Sequence, residues 1–352
     1  MGKAASTRIK WIDTAKFIAI IAVLTDHLSM PLQFSRQIQT SSYFSVSLFI
    51  LLTGFTTFLS FSNTTSQLTN AVKKRIINIL LPYTLATFII HCFIHCGFDL
   101  AIFVQQWYLF NTSSPHYFVL LYVLLMLISP ILFNLIKYIR NRIPNISQPI
   151  AHIVALLIII FISRFTNAHT NIANIYGIRL LGGSYLICLY LGMLFAAYYD
   201  EFLVLIQNRK ISCILFFLSS FTLYFMITKL FHEEYIFDSC NPLCSNVNPP
   251  GLTIITTSIV IMFEICLIDS FCEHINNRAL NVIRVPFSYV GKHTLYIFLY
   301  HMFLFEFFLV KTIPDTLPKP IVPIYYVILI VVPILIQIIC NYLGKLVSRC
   351  YS

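Results

Sequence analysis

The sequence is poor in charge. Asp, Glu, Lys and Arg make up only 10% of its 352 residues, whereas soluble domains carry about 25%. Hydrophobic residues make up 58% of the chain, and the mean hydropathy is +0.83. This composition excludes an ordinary soluble protein. It predicts an all-α polytopic membrane protein with about ten transmembrane helices in one bundle.

Other features are missing as well. The apolar runs lack the alternation of barrel strands, so we expect helices. No internal repeat is evident, so a two-fold transporter built on repeats has no sequence support. We expect one membrane domain over residues 1–352, without an appended soluble domain. The first apolar run contains Asp26 and His27 and is followed by no A-x-A cleavage site, so we expect it to remain as a span.

The apolar runs are each long enough, or nearly so, to cross a bilayer as a helix. The ten predicted spans lie near residues 13–34, 41–61, 77–97, 116–136, 148–165, 179–199, 211–230, 252–272, 287–310 and 321–344. The longest segments between them are the loops near 98–115 and 231–251.

Basic residues favour one orientation of these spans. With the N-terminus in the cytoplasm, the loops on that side carry Lys3, Arg8, Lys10, Lys73, Lys74, Arg75, Lys137, Arg140, Arg142, Arg209, Lys210, Arg278, Arg284, Lys292, Lys345 and Arg349. The opposite side carries Arg36, Arg164, Arg179, Lys229, Lys311 and Lys319. This bias predicts cytoplasmic termini. It explains the net charge of +10 better than nucleic-acid binding does.

The first span concentrates ionisable side chains on one face. At 100° per residue, Lys16 and His27 differ by about 20° in direction and lie about 16 Å apart along the axis. Asp13 returns to within about 40° of the same face. Ionisable groups inside a span usually mark a pathway or a site. His27 could act as a general base, because imidazole titrates near neutral pH; an interhelical hydrogen bond is the alternative role.

Asp26 is adjacent to His27 in sequence but points about 100° away around the helix. It could meet a basic residue of a neighbouring span or face an aqueous cleft. The sequence leaves both alternatives open.

Lys73, Lys74 and Arg75 form a basic cluster before the third span. Such a cluster is often a plain topology signal. It could also bind phosphate groups, with Arg as a bidentate donor and Lys as a point charge. Coenzyme A is a ligand that would need such a site.

Further polar residues lie inside the later spans. Glu264 and His301 could line a substrate cleft or make polar contacts within the bundle. His91 and His95 have a spacing that can hold a metal, but no H-E-x-x-H motif and no third ligand are evident. We therefore predict no metal site.

Several different short motifs follow one another along the chain. They are Lys16-x10-His27, Thr53-Gly54-Phe55 at the end of an apolar run, Lys73-Lys74-Arg75 leading to Pro82-Tyr83, Tyr117-Phe118 followed by Ser129-Pro130, Tyr190-Leu191-Gly192, and Gly291-Lys292 followed by His301. Together these motifs resemble membrane acyltransferase family 3, the bacterial integral-membrane O-acyltransferases. The chain departs from the family at Asn78, where a second basic residue is common.

The resemblance implies an enzyme of the bacterial cytoplasmic membrane. It would transfer an acyl group, most simply acetyl, from cytoplasmic acyl-CoA to a hydroxyl of a cell-surface polysaccharide or lipid-linked sugar. The expected partners are acyl-CoA, the glycan acceptor and membrane lipid, with no resident cofactor. The assigned residues are His27 and Lys16 as catalytic, Lys73, Lys74 and Arg75 for the donor phosphates, and Asp13, Asp26, Glu264 and His301 in the substrate cleft. His27 would act either as general base or as a covalent carrier of the acyl group.

A transporter or flippase for a glycan or small solute is the alternative. Intramembrane ionisable residues fit a polar pathway equally well on composition alone. A transporter, however, needs no nucleotide site.

Overall fold

The computed structural model describes residues 9–29, 36–64, 67–170, 178–235, 241–275, 278–309 and 322–350. The elements of these residues are helical, without a β-strand. The α-helices are α1 Lys10–Ser29, α2 Arg36–Thr40, α3 Ser45–Ser62, α4 Leu68–Ile94, α5 Leu100–Leu109, α6 Tyr117–Arg142, α7 Gln148–His169, α8 Tyr185–Ala197, α9 Tyr199–Ile206, α10 Arg209–His232, α11 Leu252–Ile275, α12 Arg278–Lys292, α13 Thr294–Leu304 and α14 Val322–Cys350. Short 3₁₀ turns precede α6 and α8, and a π-helical turn follows α13.

Several helical segments in the described residues are long and apolar enough to cross a membrane. Seven pass by length and composition: Arg36–Ser62, Leu68–Ile94, Ser114–Arg142, Gln148–His169, Arg209–His232, Leu252–Cys272 and Val322–Tyr342. An eighth is added if α8 and α9, which meet at a bend of 61°, form one broken span. The chain is therefore an all-α integral membrane protein as predicted, and the count of about ten is approximate.

The two remaining predicted spans are atypical. α1 has 20 residues but carries Asp13, Lys16 and Asp26, so its composition is less apolar than that of the other spans. The predicted span 287–310 is divided, since α12 ends at Lys292 and a short apolar helix, Thr294–Phe308, follows. The sequence alone did not predict this division.

α3 lies at the centre of the bundle and packs closely along α8. A Cβ atom added to Gly54 would lie 2.3 Å from the carbonyl oxygen of Leu189, and one added to Gly192 would lie 2.0 Å from that of Leu51. Each glycine thus admits the backbone of the other helix. Small residues serve this purpose in membrane helix pairs, because close backbone approach increases van der Waals packing. We call this contact the α3–α8 seam.

The break between α12 and α13 is fixed against the first half of α1. A Cβ atom at Gly291 would lie 1.9 Å from the carbonyl oxygen of Asp13. The Ser288 hydroxyl donates to Asp13 Oδ2 at 3.4 Å. α13 therefore starts beside α1 and continues along it toward His27.

Candidate active site

His27 faces a cavity of about 410 Å³, which we call the His27 cavity. It lies at the end of α1 where the apolar run finishes. Its lining consists of Val23, Asp26, His27, Ser45, Val46, Ser114, Pro115, Tyr117, Val247, Asn248 and Phe298. Carboxylate, imidazole, hydroxyl and amide groups therefore surround one space, and these groups can hydrogen-bond a polyhydroxylated ligand.

Asp26 lines the same cavity and has a defined partner. The side-chain amide of Gln39, on α2, donates to Asp26 Oδ1 at 3.2 Å. Of the two alternatives left open by the sequence, the cleft-facing one agrees with this placement. This hydrogen bond orients the carboxyl group of Asp26.

His301 lies beside His27, with 5.2 Å between the two ring centroids. Its Nδ1 is 2.8 Å from the carbonyl oxygen of Phe298 and 3.2 Å from that of Ile297. Carbonyl oxygens only accept, so Nδ1 carries the hydrogen and Nε2 of the neutral ring carries the lone pair. Nε2 is fully buried and has no hydrogen-bond partner among the described residues. His301 thus offers an acceptor in the immediate neighbourhood of His27.

A third histidine was not predicted from the sequence. His116 is fully buried and lies in the turn whose neighbours Ser114 and Pro115 line the His27 cavity. Its Nε2 is 3.3 Å from the carbonyl oxygen of Leu299, one residue from Phe298. The sequence feature that could have identified His116 is its position in a short turn between two apolar runs.

A second cavity of about 190 Å³ contains Arg75, and we call it the Arg75 cavity. Its lining consists of Phe49, Thr53, Arg75, Asn78, Ile79, Phe118, Tyr122, Thr294, Leu295 and Phe298. Arg75 donates from one terminal nitrogen to the carbonyl oxygen of Thr56 at 2.7 Å. Its Nε is buried and without a partner among the described residues, so the guanidinium keeps unused donors.

The predicted basic cluster is split by this geometry. Lys73 and Lys74 are exposed, while Arg75 is half-buried and lines the cavity. Consecutive helical residues point 100° apart, so three in a row do not share one face. Asn78, three residues after Arg75, returns to the cavity lining.

The two cavities follow one another along the helix axes. α3 contributes Ser45 to the His27 cavity and Thr53 to the Arg75 cavity. α6 contributes Tyr117 to the first and Tyr122 to the second. Phe298 of α13 lines both. The cavities are therefore neighbours at successive depths of the bundle.

Aromatic rings separate the two spaces. The ring centroid of Phe298 lies 4.8 Å from that of Phe118 and 6.3 Å from that of Phe49. It also lies 5.7 Å from the ring of His301. We call Phe49, Phe118 and Phe298 the aromatic partition.

Other predicted site residues lie elsewhere. Glu264 is at the interface of α10 and α11, where the hydroxyls of Ser219 and Ser220 donate to its carboxylate. Asp13 contacts α12 as described, and Lys16 is half-buried on α1. The linings of the two cavities, within the part of the chain that the structure describes, include none of these three predicted residues.

His91 and His95 hold α5 against α4. Nδ1 of His91 is 2.8 Å from Gln106 Oε1, and the backbone N–H of Asp99 donates to Nε2 at 3.2 Å. The Gln106 amide lies 3.4 Å from His95 Nε2. These hydrogen bonds give the two histidines a packing role between α4 and α5.

The arrangement joins two chemical capacities. One cavity offers guanidinium and amide donors suited to an anionic or carbonyl-bearing ligand. The other offers an imidazole base with a carboxylate and hydroxyls around it. A group passing between them would meet His27 just beyond the aromatic partition.

A family comparison covers almost all of this structure. The model of the family described as Acyltransferase domain matches residues 9–341. No curated protein and no solved structure matches the chain. The matched range includes His27, Arg75 and His301.

Proposed function

The chain belongs to the Acyltransferase domain family, as its resemblance to membrane acyltransferase family 3 implied, and on that premise we propose that it transfers an acetyl group from acetyl-CoA to a sugar hydroxyl. The acceptor is a cell-surface polysaccharide or a lipid-linked sugar. The observation that carries the proposal is the pair of adjoining cavities, one with Arg75 and one with His27. Family membership favours this function over a transporter or flippase.

The donor approaches from the Arg75 cavity. Arg75 binds phosphate or carbonyl oxygens of acyl-CoA through its unused donors. The exposed Lys73 and Lys74 provide positive charge at the same helix end for the remaining phosphates. The cavity is mostly apolar and aromatic beyond Arg75, which suits the uncharged thioester arm rather than the nucleotide.

The acceptor occupies the His27 cavity. Asp26 and Asn248 hydrogen-bond sugar hydroxyls, with Ser45 and Ser114 as further partners. His27 removes the proton of one hydroxyl, whose oxygen attacks the thioester carbon. The carbon–sulfur bond breaks, and the departing thiolate takes the proton from His27, which gives free CoA and restores the neutral base. His301 Nε2 stabilises the protonated His27 by accepting a hydrogen bond from it.

Orientation follows from the distribution of basic residues. We place the protein in a bacterial cytoplasmic membrane with both termini in the cytoplasm. The Arg75 cavity then faces the cytoplasm, where acyl-CoA is found, and the His27 cavity faces the outside. Lys16, on the cytoplasmic half of α1, supports the polar face that leads to His27.

The test is turnover of labelled acetyl-CoA by membranes that contain the protein and a surface-glycan acceptor. We expect His27→Ala to lower the rate by about 10²–10⁴, the usual contribution of a general base. The matched control is His169→Ala, because His169 is an exposed histidine at the end of α7. Full activity in His27→Ala would remove His27 from the mechanism. A wild-type protein that moves sugar without consuming acetyl-CoA would establish the transporter alternative.

The same assay without acceptor separates direct transfer from a covalent carrier. Direct transfer leaves no acyl group on the protein. Label that stays on the wild-type protein and is absent from His27→Ala would instead show that His27 carries the acyl group.

A further inference from the structure

We propose that Phe298 selects the acyl group, admitting a short uncharged acyl chain and rejecting longer or anionic ones. This inference rests on the proposed function and concerns the same site. Among the residues that the structure describes, Phe298 is the one that lines both cavities, so an acyl group bound between Arg75 and His27 lies against its ring. It is only 4% exposed.

The ring is held in place on several sides. Phe118 and Phe49 contact it from α6 and α3, and His301 contacts it from one helical turn further along α13. Its own carbonyl accepts the hydrogen bond that orients His301. Because packed cores have low compressibility and transmit strain, the partition cannot yield to an additional methylene without disturbing the base.

Position along the path makes this ring selective for the acyl chain rather than for CoA. The thioester carbon must come within reach of His27, and His301 lies 5.2 Å from His27 and 5.7 Å from Phe298. The thioester and the carbons that follow its carbonyl therefore lie beside the Phe298 ring, and the CoA arm is the same in every donor. One methylene too many in an apolar pocket typically changes kcat/KM by about 10- to 200-fold.

The charge of the acyl group is a second property by which the site selects its donor. Among the described residues that line the His27 cavity there is no Lys or Arg, and Asp26 contributes a carboxylate. A succinyl chain that extends past Phe298 into the His27 cavity would bring its carboxylate beside Asp26, where the described lining holds no Lys or Arg. Unpaired like charges in a partly buried site are unfavourable, so a dicarboxylic acyl donor is disfavoured.

The experiment compares acetyl-, propionyl-, butyryl- and succinyl-CoA as donors for the wild type, Phe298→Ala and Phe298→Leu. We expect the wild type to prefer acetyl-CoA. In Phe298→Ala the butyryl-to-acetyl ratio of kcat/KM should rise at least about tenfold, with a smaller rise in Phe298→Leu. Succinyl-CoA should remain a poor donor in all three. The ratio is independent of how much protein folds, so partial destabilisation does not affect it.

Phe303→Ala is the matched control. Phe303 is a buried phenylalanine of the same helix that packs on Phe93 and lines neither cavity. Its donor ratio should equal that of the wild type. If Phe298→Ala is inactive, the butyryl-to-acetyl ratio of kcat/KM in Phe298→Leu tests the inference. Unchanged donor ratios with intact acetyl turnover overturn this inference and leave the proposed function standing, whereas a wild type that uses no acyl-CoA overturns both.

Discussion

The histidine pair is the part of the site whose hydrogen bonds are most constrained. The carbonyl oxygens of Ile297 and Phe298 require the hydrogen of His301 on Nδ1, so only Nε2 can accept from His27. A second-layer acceptor of this kind fixes the tautomer of a base and stabilises its protonated form, as in other catalytic pairs.

Replacing His301 with Phe tests this role. The variant keeps an aromatic ring of similar size beside His27 but removes the acceptor nitrogen. We expect kcat to fall about 10²-fold, the lower end for assistance in proton transfer, with little change in the KM for acetyl-CoA. Initial rates over a range of acetyl-CoA concentrations measure both. A kcat within twofold of the wild type would limit His301 to packing.

Asp26 should act on the acceptor and not on the donor. In Asp26→Asn the contact with Gln39 can persist while the charge is lost. A hydrogen bond to a charged group contributes about 1.5–3 kcal/mol, so the acceptor KM should rise about tenfold or more. The donor KM should stay constant. Kinetics with each substrate varied in turn measure the split, and a rise in the donor KM alone would contradict the assignment.

The sequence predicted His27 and its face because helix geometry relates residues within one span. It could not relate one span to another, since the rotation of each helix and its neighbours depend on packing. Glu264 therefore looked equivalent to His301, although two serines of α10 bind its carboxylate away from both cavities. Phe298 was missed for the same reason, because a phenylalanine in an apolar run resembles any lipid-facing residue.

At the scale of elements, the α3–α8 seam should be the most sensitive contact to small substitutions. Gly192→Ala places a methyl group 2.0 Å from a backbone oxygen of α3, and a backbone atom cannot move aside as a side-chain end can. Overpacking costs about 1–3 kcal/mol. We expect a thermal midpoint in detergent several degrees below that of the wild type, and a similar loss for Gly54→Ala.

Gly97→Ala is the matched control for this measurement. A Cβ there would meet only the carbonyl oxygen of His95, at 3.9 Å, which is an ordinary contact. Its midpoint should equal that of the wild type. Equal midpoints for Gly97→Ala and Gly192→Ala would show that the seam can separate without cost.

The division of the predicted ninth span is a helix break that the hydrophobic pattern of the sequence did not predict. Residues 287–310 read as one apolar run, yet the chain turns at Lys292 and His293. Gly291 permits the close contact with Asp13 at that turn. The contact lies between residues far apart in sequence, so no local sequence pattern predicts it.

For the whole molecule, the order of crossings can be tested with reporter fusions. Ten crossings with the N-terminus inside place Asn145 and the C-terminus in the cytoplasm and Asn111 outside. We expect alkaline phosphatase to be active only when fused after Asn111, and green fluorescent protein to be bright at the other two positions. A C-terminus outside would show that one of the segments after Asn145, such as the short helix Thr294–Phe308, does not cross.

The α3–α8 seam also constrains how the protein is made. α3 leaves the ribosome early, and α4, α5, α6 and α7 follow before α8 appears. During that interval Gly54 and its backbone groove face lipid or a chaperone instead of their partner. Biogenesis therefore passes through a half-made bundle with an open central groove. Slowing synthesis between α3 and α8 would prolong this vulnerable intermediate and expose it to quality-control proteases.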